Sequence, residues 1–150
     1  MHADRVGVCL DTCHLLAAGY DIATPSGYRR TFAAFGRSVG FAKLEAFHLN
    51  DAKRPLGSRL DRHERIGVGF LGRATFRRIA RDRRFAGLPM ILETPAGMAG
   101  WKKEIRLLRR LLASSSLMKN PWRRVVECVS SLKRKAREDA RRRRATGSNV

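Results

Sequence analysis

Four short stretches carry the side chains that can do chemistry: Leu10-Asp11-Thr12-Cys13-His14, Phe47-His48-Leu49-Asn50-Asp51, Asp61-Arg62-His63-Glu64 and Ile91-Leu92-Glu93-Thr94. Within them Asp11, His14, His48, Asp61, His63 and Glu93 offer three oxygen and three nitrogen donors. Carboxylate and imidazole are the ligands Zn²⁺ takes when no thiolate is used, and Mn²⁺ accepts the same set. The chemistry this set points to is metal-assisted hydrolysis, in which clustered cations replace a protein nucleophile. Consistent with that, none of Thr12, Cys13 or Ser58 has the base and orienting partner that a covalent route requires.

Each donor also has an ordinary reading. An aspartate at the end of a strand often caps the helix that follows, Asp61 is placed to pair with Arg59 or Arg62, and a single histidine is more often a satisfied polar residue than a ligand. The constellation outweighs the single residues. Three of the four histidines fall in these stretches, each with a carboxylate (Asp11, Asp51 or Asp61) two or three positions away, although Asp51 need not itself be a ligand. Arg59 and Arg62 are candidates for phosphate contacts, with a solvated loop role as the alternative.

Three of the donors close apolar runs: Val6 to Leu10 leads to Asp11, Leu44 to Phe47 leads to His48, and Met90 to Leu92 leads to Glu93. In a parallel α/β barrel the carboxyl ends of the strands are where catalytic groups collect. Residues 5 to 11 are almost wholly apolar, the pattern of a parallel strand covered on both faces. Beyond a loop spanning Gly19 and Pro25 to Gly27, Phe32, Phe35 and Val39 recur at helical spacing. Leu44 to Leu49 is a second strand. The polar segment from Asn50 to Gly72 is long enough to be a functional loop rather than a connector. A helix around Phe76, Ile79 and Ala80, the Gly87-Leu88-Pro89 turn, a strand from Met90 to Glu93 and a helix marked by Ile105, Leu108, Leu111 and Leu112 complete a βαβαβα order. That order predicts a parallel sheet with right-handed crossovers.

The chain has 150 residues, enough for one core but short for a closed barrel, which takes about 250. Its formal charge of +19 favours a polyanionic partner, nucleic acid first. Much of that charge follows residue 118, in a segment where Asn120-Pro121 predicts a helix start with an apolar stripe of Trp122, Val125, Val126, Val129 and Leu132, and a disordered end is expected after it. Such a basic run is either a solvated tail or a source of salt-sensitive, non-specific attraction to phosphates. Cys9, Cys13 and Cys128 form no C-x-x-C pair, and no signal-like segment precedes them, so a reduced, cytoplasmic protein is expected. No apolar run approaches a membrane span.

The run Arg5-Val-Gly-Val-Cys-Leu-Asp-Thr-Cys-His-Leu-Leu-Ala-Ala-Gly-Tyr-Asp-Ile22 resembles the endonuclease IV family of apurinic/apyrimidinic (AP) endonucleases. So do Phe47-His-Leu-Asn-Asp-Ala-Lys53, Leu56-Gly-Ser-Arg-Leu-Asp-Arg-His-Glu64, Asp82-Arg-Arg-Phe85 and Leu92-Glu-Thr-Pro95, with the intervals between motifs kept from about residue 5 to about residue 113. The resemblance implies a (β/α)₈ TIM barrel of the xylose-isomerase-like type holding up to three zinc ions, which hydrolyses the phosphodiester 5′ to an abasic site. The part resembled is the last three βα units, so a partial barrel over residues 1–113 and a basic extension over residues 114–150 are expected.

By the same resemblance, Asp11, His48 and Glu93 share one metal, while His14, Asp61 and His63 form a second site whose three protein ligands are all present. The family's remaining ligands, two histidines and a bridging glutamate, lie on earlier strands. One complete Zn²⁺ site, with Mn²⁺ as an alternative ion, is therefore the expectation. DNA containing abasic sites is the implied substrate, and a companion chain or self-association would cover the open sheet edges. Two further readings stay open: a non-catalytic nucleic-acid or metal-binding remnant of the family, and a sugar isomerase on the same barrel type.

Overall fold

A computed structural model describes residues 5–113. The strands β1 (Val8–Asp11), β2 (Leu44–Leu49) and β5 (Met90–Leu92) form a parallel sheet in the order β1-β2-β5. Between β2 and β5 the chain makes a small antiparallel ribbon, β3 (Asp51–Ala52) against β4 (His63–Glu64). Helices α1 (Thr12–Ala17) and α2 (Pro25–Ser38) follow β1, α3 (Gly72–Arg81) precedes β5 and α4 (Gly97–Ala113) follows it. The expected βαβαβα order is present, as an open portion of a barrel.

The parallel register separates the two faces of the sheet. Leu10 pairs with Phe47 and Phe47 with Met90, and Leu49 pairs with Leu92, so these apolar residues share the face that the helices cover. Phe47 there meets Phe32 of α2 and Phe85, with the Phe47–Phe85 and Phe32–Phe85 ring centroids 4.8 and 4.9 Å apart. All three rings are fully buried, and burial of each contributes roughly 2–3 kcal/mol. Phe76 and Ile79 seat α3 and Leu111 seats α4 on the same core.

The opposite face carries Cys9, Asp11, Ala46, His48 and Ile91 in register. Here the expectation of a first strand covered on both faces is wrong. Cys9 is exposed and Ile91 is 44% exposed, so this side of the sheet is open to solvent at these positions. β1 is also shorter than the apolar run: it begins at Val8, and Val6 is 68% exposed.

Two local readings change as well. Pro25 to Gly27 is not loop but the first turn of α2, with Pro25 at the helix start and the Thr24 hydroxyl accepting the Gly27 N–H at 3.0 Å. Gly27 is small because a Cβ there would collide with the Asp21 carboxylate. β5 closes at Leu92, which leaves Glu93 just beyond the strand. The helix expected from Asn120 and its apolar stripe lie outside the described residues. Among those described, no helix is long and apolar enough to cross a membrane.

Candidate metal centre

Asp11 and His48 are register partners at the carboxyl ends of adjacent strands, and Glu93 follows the third strand. Parallel pairing alone thus brings these three donors to one end of the sheet. His48 Nδ1 lies 3.1 Å from Glu93 Oε2 and 3.9 Å from Asp11 Oδ2. The three can close on a single cation.

The second group is built by a loop folding back. The N–H groups of Gly57 and Arg59 donate to the carbonyls of Leu16 and Ala17, each at 2.9 Å, which satisfies acceptors near the end of α1. Arg59 takes a left-handed backbone (φ 56°) to make that turn. The return carries Asp61 to His14, which sits on α1: Asp61 Oδ2 lies 3.1 Å from His14 Nε2, and Asp61 Oδ1 lies 3.1 Å from His63 Nε2. Arg62 donates to the Asp61 backbone carbonyl at 2.6 Å, so the Asp61 carboxylate faces the histidines rather than a neighbouring arginine. Arg59 and Arg62 are both exposed beside the cluster.

Asp11 does two jobs. Its Oδ1 caps α1 by accepting the His14 N–H at 3.0 Å, the ordinary role for an aspartate at that position. Its Oδ2 faces the cluster, 3.9 Å from both His48 Nδ1 and His63 Nε2. Asp11 consequently belongs to two donor groups, with His48 and Glu93 on one side and with His14 and His63 on the other. The expected assignment to one group alone is narrower than this arrangement.

His63 supplies the test of whether a cation fits. Its Nδ1 lies 3.3 Å from the Glu93 backbone carbonyl, which can only accept, so a hydrogen bond there is donated by Nδ1 and turns Nε2 towards the donor cluster. Nε2 is buried without a hydrogen-bond partner and lies 3.1 Å from Asp61 Oδ1. A buried imidazole nitrogen without a hydrogen-bond partner, set among carboxylate oxygens, is one that a metal ion can satisfy, and the donor set suits Zn²⁺ or Mn²⁺.

Cys13, Asp51 and Glu104 take places around the centre that the sequence did not assign to them. Cys13 is fully buried beneath the loop, and its Sγ closes with Asp61 and His63 into a third possible donor group. Burial pushes the Cys13 thiol up to about 11, and the nearby carboxylates of Asp11, Asp61 and Asp51 add to that against the Arg62 N–H. Asp51 is fully buried and is no member of the cluster: its oxygens accept the N–H groups of Ala52, Leu71, Gly67 and Gly72 at 2.8, 2.8, 2.9 and 3.2 Å. Gly69 lets the chain pass this anchor, since a Cβ there would collide with the Ala52 carbonyl oxygen. Glu104, on α4, accepts from the Ile66 N–H at 2.8 Å and the Thr94 hydroxyl at 2.5 Å, so it ties the segment after His63 to the residue after Glu93.

A family model described as xylose isomerase-like TIM barrel matches residues 1–111. "Probable endonuclease 4" of Chloroflexus aurantiacus is 52% identical over 111 residues, covering 73% of this chain and 39% of that protein. "Apurinic-apyrimidinic endonuclease 1" of Schizosaccharomyces pombe is 52% identical over 114 residues, covering 75% and 33%. The crystal structure of endonuclease IV from Thermus thermophilus superposes with a TM-score of 0.65 at 38% identity, covering 73% of this chain and 39% of that one. The chain therefore spans about two fifths or less of the length of these relatives.

Proposed function

The chain belongs to the xylose isomerase-like TIM-barrel family, and from that membership we propose that it is the C-terminal, metal-binding portion of a DNA-repair endonuclease of the endonuclease IV type, acting on the phosphodiester 5′ to abasic sites. The observation that carries this reading is the buried, unpartnered Nε2 of His63 in a donor group with Asp11 and His14, which Asp11 links to the group of His48 and Glu93. Residues 1–113 are assigned to the barrel and residues 114–150 to a basic extension.

Asp11, His48 and Glu93 would hold one ion, and His14, Asp61 and His63 another, with Zn²⁺ as the resident ion and Mn²⁺ as a substitute. When bound, such ions activate water near neutral pH and stabilise charge at phosphorus and on the departing oxygen. The chain's own residues orient and neutralise. The Glu93 carbonyl orients the His63 ring, the Asp11 carboxylate spans the two groups, and Arg59 and Arg62, exposed on the loop that carries Asp61, would offer guanidinium groups to a phosphate backbone. Among the described residues Cys9 and Cys13 are free thiols, which suits a reducing, cytoplasmic compartment.

The test is incision of an abasic-site duplex by metal-loaded, nuclease-free protein. Cleavage above that of a His63→Ala variant is the expected result, and equal cleavage overturns the enzymatic reading for this chain. A second reading is favoured by the uncovered face bearing Cys9, Ala46 and Ile91. In it the chain binds metal or nucleic acid without turnover, and metal uptake with no incision would select it.

A further inference from the structure

We propose that Asn50 is the positioning residue of this centre, holding the Asp11 carboxylate in the one orientation that serves both donor groups. The inference rests on the reading of Asp11 as a metal donor. Asn50 is fully buried at the end of β2, and its Nδ2 donates to Asp11 Oδ2 at 2.7 Å. With the His14 N–H on Oδ1 at 3.0 Å, both oxygens of Asp11 are pinned and the carboxylate cannot rotate about its Cβ–Cγ bond without breaking a hydrogen bond. The amide takes up part of the lone-pair capacity of Oδ2 and leaves the rest towards His48 and His63, each 3.9 Å away.

The other half of the amide identifies what the residue is for. Asn50 Oδ1 is buried with no hydrogen-bond partner, a cost that an apolar residue would avoid. Leucine of similar size lacks the N–H donor, and aspartate would set a second negative charge against Asp11. Only the amide donates to Oδ2 without adding charge. Its backbone is held independently: the Thr12 hydroxyl donates to the Asn50 carbonyl at 2.6 Å and accepts the Asn50 N–H at 2.8 Å. The strand end carrying His48 is thereby clasped to the residue next to Asp11, and the side chain is free to act on the carboxylate.

The two roles separate by mutation, with Co²⁺ as the probe on the full chain. Asn50→Ala and the isosteric Asn50→Asp are expected to weaken Co²⁺ binding by about 10–100-fold in chelator competition and to alter its visible ligand-field spectrum. Thr12→Val breaks the backbone clasp without touching the Asp11 carboxylate. It should lower the melting temperature of the metal-free protein and weaken Co²⁺ binding by less than either Asn50 variant does. If Asn50→Ala does not fold, Asn50→Asp, which keeps the side-chain shape, carries the test. Wild-type affinity in a folded Asn50 variant, or an equal loss in Thr12→Val, overturns the proposal while leaving the metal reading intact. Failure of the wild-type chain to take up Co²⁺ overturns the metal reading and this proposal with it.

Discussion

The Nδ1 of His63 lies 3.3 Å from the backbone carbonyl oxygen of Glu93, so the orientation of a ring on the β3–β4 ribbon is set by the end of β5. His63 is also a member of two donor groups, with Asp11 and His14 and with Cys13 and Asp61, whereas His48 belongs to one. Removing the imidazole of His63 should therefore cost more bound metal than removing that of His48. Elemental analysis after exhaustive dialysis is expected to show greater loss of zinc for His63→Ala than for His48→Ala. The reverse order would mean that the His48 group is the tighter site.

Asp51 predicts a loss of stability rather than of metal chemistry. Its carboxylate takes four backbone N–H groups from the segment that leads into α3, and Asp51→Ala leaves these donors without their acceptor. The expected destabilisation is about 2–4 kcal/mol, from several unsatisfied donors at partial relaxation. Asp51→Asn, which keeps one acceptor oxygen, should lose less. Denaturant midpoints of the metal-free proteins measure both, and equal midpoints for Asp51→Ala and wild type would contradict the anchoring role.

The three main strands and three longer helices were legible because each writes a period into the sequence: apolar runs closing in Asp11, His48 and near Glu93, and spaced residues such as Phe32, Phe76, Ile79 and Leu111. The strand ends carried three of the six candidate donors, Asp11, His48 and Glu93. The rest depended on contacts between segments distant in sequence. α1 has six residues, too few to show periodicity, and Pro25 to Gly27 contained a breaker and a cap signal of which the cap prevailed. Asp51 resembled a ligand in composition, and only the chain's return past Gly67 and Leu71 makes it an anchor. Cys13 and Glu104 gained their places from loops that no local pattern announces. The exposure of Cys9 could not be read from an apolar run, because burial depends on what stands opposite.

Asp82 should govern acid stability. Burial alone would raise its carboxyl, but the side-chain and backbone hydrogen bonds of Arg84, the Tyr28 hydroxyl at 3.0 Å and the charge of Arg84 together hold it below its ordinary value of 3.8. A folded-state value below the unfolded one gives stabilisation that is complete above the unfolded value and lost as pH falls through the folded one. Wild-type stability is thus expected to be insensitive to this group between neutrality and about pH 5 and to decline below about pH 4. Asp82→Asn should be less stable at neutral pH and show a shallower acid limb. Thermal melts across about pH 2.5–7 at fixed ionic strength, a range that brackets carboxylate titration, would detect it. Parallel curves for the two proteins would remove Asp82 from the account.

Much of the chain's positive charge lies outside the described residues. Residues 117–150 carry eleven Lys and Arg against three Asp and Glu, so a chain ending at Ser116 keeps +11 of the +19. If that segment attracts phosphates, its removal lowers the number of counterions released on DNA binding, and the slope of log K against log salt becomes shallower by about 0.9 for each phosphate no longer neutralised on duplex DNA. Filter binding of an undamaged duplex between about 50 and 200 mM salt is expected to show weaker, less salt-dependent binding for the shortened protein. Metal uptake should be retained, because Asp11, His14, His48, Asp61, His63 and Glu93 all precede the cut. An unchanged slope would place the DNA-contacting charge on the barrel itself, where Arg59 and Arg62 stand beside the metal centre.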